Sequence, residues 1–126
     1  GSPHTPTFGE WAFMKKRETI GRVWDTIPED TDVLIVHGPP KGVRDLSHDR
    51  HGNLEFCGDG ALMKKCFKMR DTLKLMLFGH IHDSPGCYNQ GVSHFSTIPT
   101  VFSNATCVLD GKFDLGITSH GNKFEL

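Results

Sequence analysis

Leu77-Phe78-Gly79-His80-Ile81-His82 is an apolar run that ends at a glycine and two histidines in alternation. A buried strand over residues 74–78 delivers both imidazoles to its carboxyl end, where open α/β sheets place their ligands. Gly79 leaves room there for a close backbone approach or an unusual φ/ψ. Neutral imidazole ligates Zn, Fe, Ni and Mn-type ions, so the H-x-H pair has the chemistry of a metal site. The same pattern also describes two loop histidines facing water. A second stretch, Val33-Leu34-Ile35-Val36-His37-Gly38-Pro39-Pro40, repeats it: an apolar strand, a histidine, then a tight glycine-proline turn.

Working outward, Ile20, Val23, Trp24 and Ile27 recur at i, i+3, i+4 and i+7. That is one face of a helix, with Lys16, Arg17, Arg22 and Asp25 outside and Pro28 as its stop. Residues 32–36 read as a fully buried strand of a largely parallel sheet. Residues 41–60 read as a long loop without structure of its own, a kind that is usually functional or mobile. Asp59 at its end is a candidate N-cap. Leu62, Cys66, Met69 and Leu73 form a second helical face, and Lys64, Lys65, Lys68 and Arg70 lie on its solvent side. Beyond His82 the chain changes in kind, to short β-like runs at 92–96, 100–104, 106–109 and 113–118. Turn signals at Asn89-Gln90-Gly91, Ile98-Pro99 and Asp110-Gly111-Lys112 separate them, and Asp-Gly between β-rich runs is a strong hairpin signal. The expected fold class is therefore α/β: α-β-α-β followed by short antiparallel strands. Phe8, Trp11 and Phe13 are an aromatic payload expected to pin the preceding residues to the core.

A chain of 126 residues points to a single domain over 1–126 with one core. The formal net charge is −1, and no run of like charge signals a nucleic-acid or membrane surface. Cys57, Cys66, Cys87 and Cys107 form no C-x-x-C pair, which argues against a ribbon-type zinc site. With no secretory signal and no long apolar segment, they read as reduced thiols of a cytoplasmic protein. No glycine-rich phosphate loop follows a strand, which disfavours a metal-free nucleotide-binding domain.

The histidine blocks, Val36-His37-Gly38-Pro39-Pro40 and Gly79-His80-Ile81-His82, resemble two ordered signatures of the calcineurin-like metallophosphoesterases. The wider context is similar to the metallophosphoesterase-domain-containing (brain 239-like) subfamily. It includes Thr5-Pro6-Thr7-Phe8, Trp11-Ala12-Phe13, Pro28-Glu29-Asp30-Thr31-Asp32 and Ser103-Asn104-Ala105-Thr106. The resemblance runs from Gly1 to about Asp114. The family's three earlier blocks, an Asp-x-His, a Gly-Asp and a Gly-Asn-His followed by an acid, are not found in this sequence. Cys57-Gly58-Asp59-Gly60 has the letters of a Gly-Asp block but lies after the first histidine block.

The resemblance implies the carboxyl-terminal half of a four-layer α-β-β-α sandwich and metal-dependent hydrolysis of a phosphomonoester or phosphodiester. It assigns His37 and His80 to one metal ion and His82 to the other, and it leaves the bridging Asp, the Asn ligand and the acid-donating His to the missing blocks. Two dications about 3.5–4 Å apart need anionic ligands, and three neutral imidazoles supply no charge. The expectation is therefore one divalent transition metal ion (Mn, Zn, Fe or Ni) rather than two, no certain catalytic residue, and a chain inactive by itself. Asp45 and Asp83 are the nearest carboxylates in sequence, expected mainly as turn caps. Asn104 falls at a family position near the site, with a loop-organising hydrogen bond as its expected role. His4, His48, His51, His94 and His120 lack matched spacing and read as non-ligands. Half a sandwich leaves an apolar sheet face to be hidden by self-association, as in a dimer, or by an amino-terminal half. The alternative is a truncated, non-catalytic metal-binding or protein-interaction module.

Overall fold

The computed structural model describes residues 13–49, 51–82, 89–107 and 122–125. The expected strand at 113–118, the Asp110-Gly111 hairpin, Cys87 and Asp83 lie outside them, as do the aromatic residues Phe8 and Trp11. The elements in chain order are α1 (Arg17–Asp25), β1 (Val33–Ile35), β2 (Leu46–His48), β3 (Leu54–Phe56), α2 (Gly60–Lys68), β4 (Leu75–Phe78), β5 (Gly91–Phe95) and β6 (Ile98–Asn104). The architecture is mixed α/β.

The main sheet has the order β1-β4-β6-β5. Its first three strands are parallel, with Leu34 opposite Met76 and Leu75 opposite Val101. β5 joins antiparallel to β6 through the turn at Ser96 and Thr97. The expectation of purely antiparallel strands after His82 thus holds only for the β5–β6 pair, since β6 lies parallel beside β4. Ile98-Pro99 is no turn; it opens β6. Pro99 precedes the parallel ladder, which starts at Val101, so its missing N–H costs no bond with β4.

Both helices cover the same sheet face. Ile20 and Trp24 of α1 and Leu62 and Cys66 of α2 cluster with Leu34, Val36, Met76, Phe78 and Phe102. The helices approach closely, since a Cβ on Gly21 would lie 3.6 Å from that of Ala61. Ile27 packs on this core from beyond the end of α1. Met69 and Leu73 join it just past the end of α2. Strand alternation sends Val33, Ile35, Leu77 and Val101 to the opposite face. There the expectation of a fully buried first strand fails: β1 is an edge strand, and Ile35 is 66% exposed. The basic face of α2 also needs correction. Lys65 is buried, while Lys64 and Lys68 are exposed.

The stretch 41–60 is not structureless. β2 and β3 pair antiparallel within it, Leu46 opposite Phe56. Asp49 shapes their turn, its Oδ1 accepting from His51 N and Asn53 N at 2.8 Å each, with Gly52 at φ 82°. Strands of three residues are too short for a period-two pattern to stand out. Asp59 then caps α2 as expected, Oδ1 accepting from Leu62 N at 2.7 Å, and the same oxygen takes the Trp24 indole N–H at 3.1 Å.

Candidate functional site

The parallel pairing of β1 with β4 sets the two histidine blocks side by side. Val36 N donates to Leu77 O at 3.0 Å, and Gly79 N donates to His37 O at 2.9 Å, so the ladder continues past both strand ends. His37 and His80 leave this ladder together. His37 Nε2 lies 3.1 Å from His80 Nδ1, with ring centroids 4.7 Å apart and planes tilted by 52°. His37 is exposed, whereas His80 and His82 are half-buried. Desolvation is the main force lowering the His80 pKa, down to about 4, and the proximity of His37 and His82 lowers it further. His80 is thus a neutral imidazole at pH 7, the form that ligates metal.

For Gly79 the sequence leaves open a close backbone approach or an unusual φ/ψ. His80, not Gly79, adopts a left-handed φ of 72°. A Cβ on Gly79 would come 3.4 Å from Thr106 Oγ1, at the edge of ordinary van der Waals contact.

Two nitrogens each about 2.0–2.1 Å from one ion stand roughly 3 Å apart when they are neighbouring ligands. The His37–His80 spacing fits that, and it equally fits a hydrogen bond between neutral rings of complementary tautomer. The fit stops at two. Among the described residues no three His, Cys, Asp or Glu side chains form a metal-binding group. Convergence of all three imidazoles on one ion is not seen.

Asp45 is fully buried and turned to other work. Its Oδ2 accepts from Gly42 N and Gly58 N at 2.9 Å each, closing the loop that carries the β2–β3 hairpin. Asn104, at the carboxyl end of β6 opposite Phe78, has the loop-organising role expected of it. Its amide donates to Ile81 O at 2.8 Å and to Arg44 O at 3.5 Å, and its Oδ1 accepts from Thr106 N at 3.0 Å. His48, His51 and His94 are exposed, while His4 and His120 lie outside the described residues. Arg44 is the residue that the sequence did not single out. Its guanidinium donates to Ser93 Oγ at 2.8 Å and to the carbonyls of Gln90 and Val92. These partners lie 46 to 49 residues away, so no local signal announces them.

The chain is 32% identical over 99 residues to metallophosphoesterase domain-containing protein 1 of Homo sapiens, which covers 75% of the chain and 28% of that protein. It is 31% identical to a UPF0046 protein of Caenorhabditis elegans over 98% of the chain and 31% of that protein. The chain belongs to the metallophosphoesterase-domain-containing family. It spans about three tenths of the length of these relatives. A third relative, a probable rhamnogalacturonate lyase C of Emericella nidulans, is 41% identical over 68% of the chain, but this is 7% of that protein, too small a share for its name to bear on this chain. No family model matches the chain. No solved structure matches it. Family membership agrees with the resemblance carried by the two histidine blocks. Among the described residues no helix is long and apolar enough to cross a membrane.

Proposed function

We propose that this chain is the histidine-bearing part of a metallophosphoesterase centre, in the carboxyl-terminal half of a four-layer sandwich, and that it is inactive alone. The observation that carries this is the 3.1 Å approach of His37 Nε2 to His80 Nδ1 at two parallel strand ends. His37 and His80 would share one divalent ion, and His82, two residues on from His80, would serve a second. When bound, such ions polarise a phosphoryl oxygen and offset its charge. The chain's own contribution is positional. The β1–β4 ladder holds the two rings together, burial keeps His80 neutral, and the Asn104 amide fixes the carbonyl between His80 and His82. Among the described residues no group of three His, Cys, Asp or Glu side chains that could hold a metal ion forms around them. The bridging acid, the Asn ligand and the acid-donating His of the family would come from an amino-terminal half, and the phosphoester would bind only to the completed site.

The absence of a three-residue ligand group among the described residues favours a second reading, in which the chain is a non-catalytic metal-binding or interaction module. Metal content and aryl phosphodiester hydrolysis with added Mn²⁺, measured on one purified sample, separate the two from an autonomous enzyme. We expect at most one ion per chain and no turnover, with binding weakened in each of His37→Ala, His80→Ala and His82→Ala. Unchanged stoichiometry in all three variants would reject the site, and two ions with turnover would reject the inactivity. Turnover on adding a family amino-terminal half would decide against the non-catalytic module.

A further inference from the structure

Three backbone positions around the histidines are tied together by one side chain and one guanidinium. Arg44 and His80 both hold left-handed φ values, 49° and 72°, in non-glycine residues. Such a conformation is strained for a residue with a side chain and persists only where the surroundings impose it. For Arg44 the imposing groups are visible. Its guanidinium lies across the start of β5, against Gly91, where a Cβ would meet Nη1 at 3.4 Å. There it bonds the Gln90 and Val92 carbonyls and Ser93 Oγ. Asn89 adds a second clasp on the same segment, Nδ2 donating to Leu46 O at 2.6 Å. The grip fixes the Arg44 carbonyl, and the buried Asn104 amide spans from it to Ile81 O. Ile81 O is the carbonyl between the two histidines of the H-x-H pair.

We propose that Arg44 and Asn104 are positioning residues for the metal-ligating loop. They transmit the clamp on β5 through one amide to the His80-Ile81-His82 backbone, and so set the left-handed turn that aims His80 at His37. The proposal rests on reading these histidines as ligands, but its first readout needs no metal. The amide groups at issue are backbone acceptors that no strand satisfies, since β4 ends at Phe78. The donor they receive is the Asn104 amide.

The test uses Asn104→Asp and Arg44→Lys in the 126-residue chain. Asn104→Asp keeps the acceptor for Thr106 N but has no N–H for Ile81 O. Arg44→Lys keeps the charge but loses the planar fork. In metal-free protein, imidazole ¹H–¹⁵N spectra report the tautomers of the His37–His80 pair. We expect the paired signature of the wild type to be lost in both variants while far-UV circular dichroism is unchanged. In a Co²⁺ titration we expect the affinity to fall by roughly ten- to a hundredfold, the range for groups that orient metal ligands. The double variant should lose less than the product of the single losses, because both act through one carbonyl chain. Folded variants with wild-type ring spectra, or with changed spectra but wild-type Co²⁺ affinity, would overturn the proposal. If the wild type takes up no Co²⁺, the metal reading fails, and the ring spectra alone decide whether the loop is positioned this way. If Asn104→Asp does not fold, Arg44→Lys decides.

Discussion

At the scale of single residues, the site and its support separate cleanly at Asp45. Its Oδ2 accepts from two backbone amides, Gly42 and Gly58, in a place where a Cβ on Gly58 would lie 2.5 Å from Pro40 O. Burial raises the Asp45 pKa above 3.8 despite those amides, which pull it down. The native state therefore holds a proton more tightly than the unfolded chain. The stabilisation is fully present below the unfolded pKa and is lost as pH rises through the folded one. Asp45→Asn cannot ionise and should lack this dependence in urea unfolding measured across a pH series. Asp45→Ala strands two amide donors and should cost about 2–4 kcal/mol at neutral pH, read from the urea midpoint. A loss under 1 kcal/mol would mean that the loop finds other acceptors. What could be read from sequence at this scale was the chemistry of local blocks. His37, His80 and the Asp59 cap announced themselves by their neighbours. Arg44 did not, because Gln90, Val92 and Ser93 lie across the fold from it, and neither did the placing of the unusual φ on His80.

At the scale of elements, the helical periodicity found α1, α2 and their buried faces, since four well-spaced apolar residues outweigh a boundary error. It could not find the β2–β3 hairpin, whose three-residue strands leave Leu54 and Phe56 more than half exposed. Nor could it see that Asp59 joins two helices. Its carboxylate caps α2 through Leu62 N and holds α1 through the Trp24 indole. Asp59→Ala should therefore exceed an ordinary cap deletion of about 1 kcal/mol and reach roughly 2–3 kcal/mol. Asp59→Asn, which still accepts from Leu62 N, should lose less than half as much. Thermal unfolding of the pair measures this; equal losses would show that the carboxylate charge, not the acceptor geometry, matters.

At the scale of the whole molecule, the open edge of the sheet among the described residues is at β1, while Leu75 and Ser103 on the face away from the helices are buried. The helices cover Leu34, Met76 and Phe102, while Ile35 on edge strand β1 is 66% exposed beside half-buried Val33, Leu77 and Val101. A parallel sheet is ordinarily covered on both faces, and an uncovered edge strand is a template for another strand. On the reading proposed above an amino-terminal half occupies this position, and we propose that without it a second copy does. Ile35→Lys puts a charge on that edge. It removes no buried contact of the single chain, so the intrinsic stability should shift by no more than about 0.5 kcal/mol. The mass from light scattering should fall from that of a dimer in the wild type to that of one chain in the variant. The melting temperature of the wild type should rise with protein concentration, as for any folded state stabilised by association, and that of the variant should not. A wild type that is monomeric at every concentration would exclude self-association through β1. A variant that stays dimeric would move the interface to another surface, such as the side of the hairpin that exposes Leu54 and Phe56.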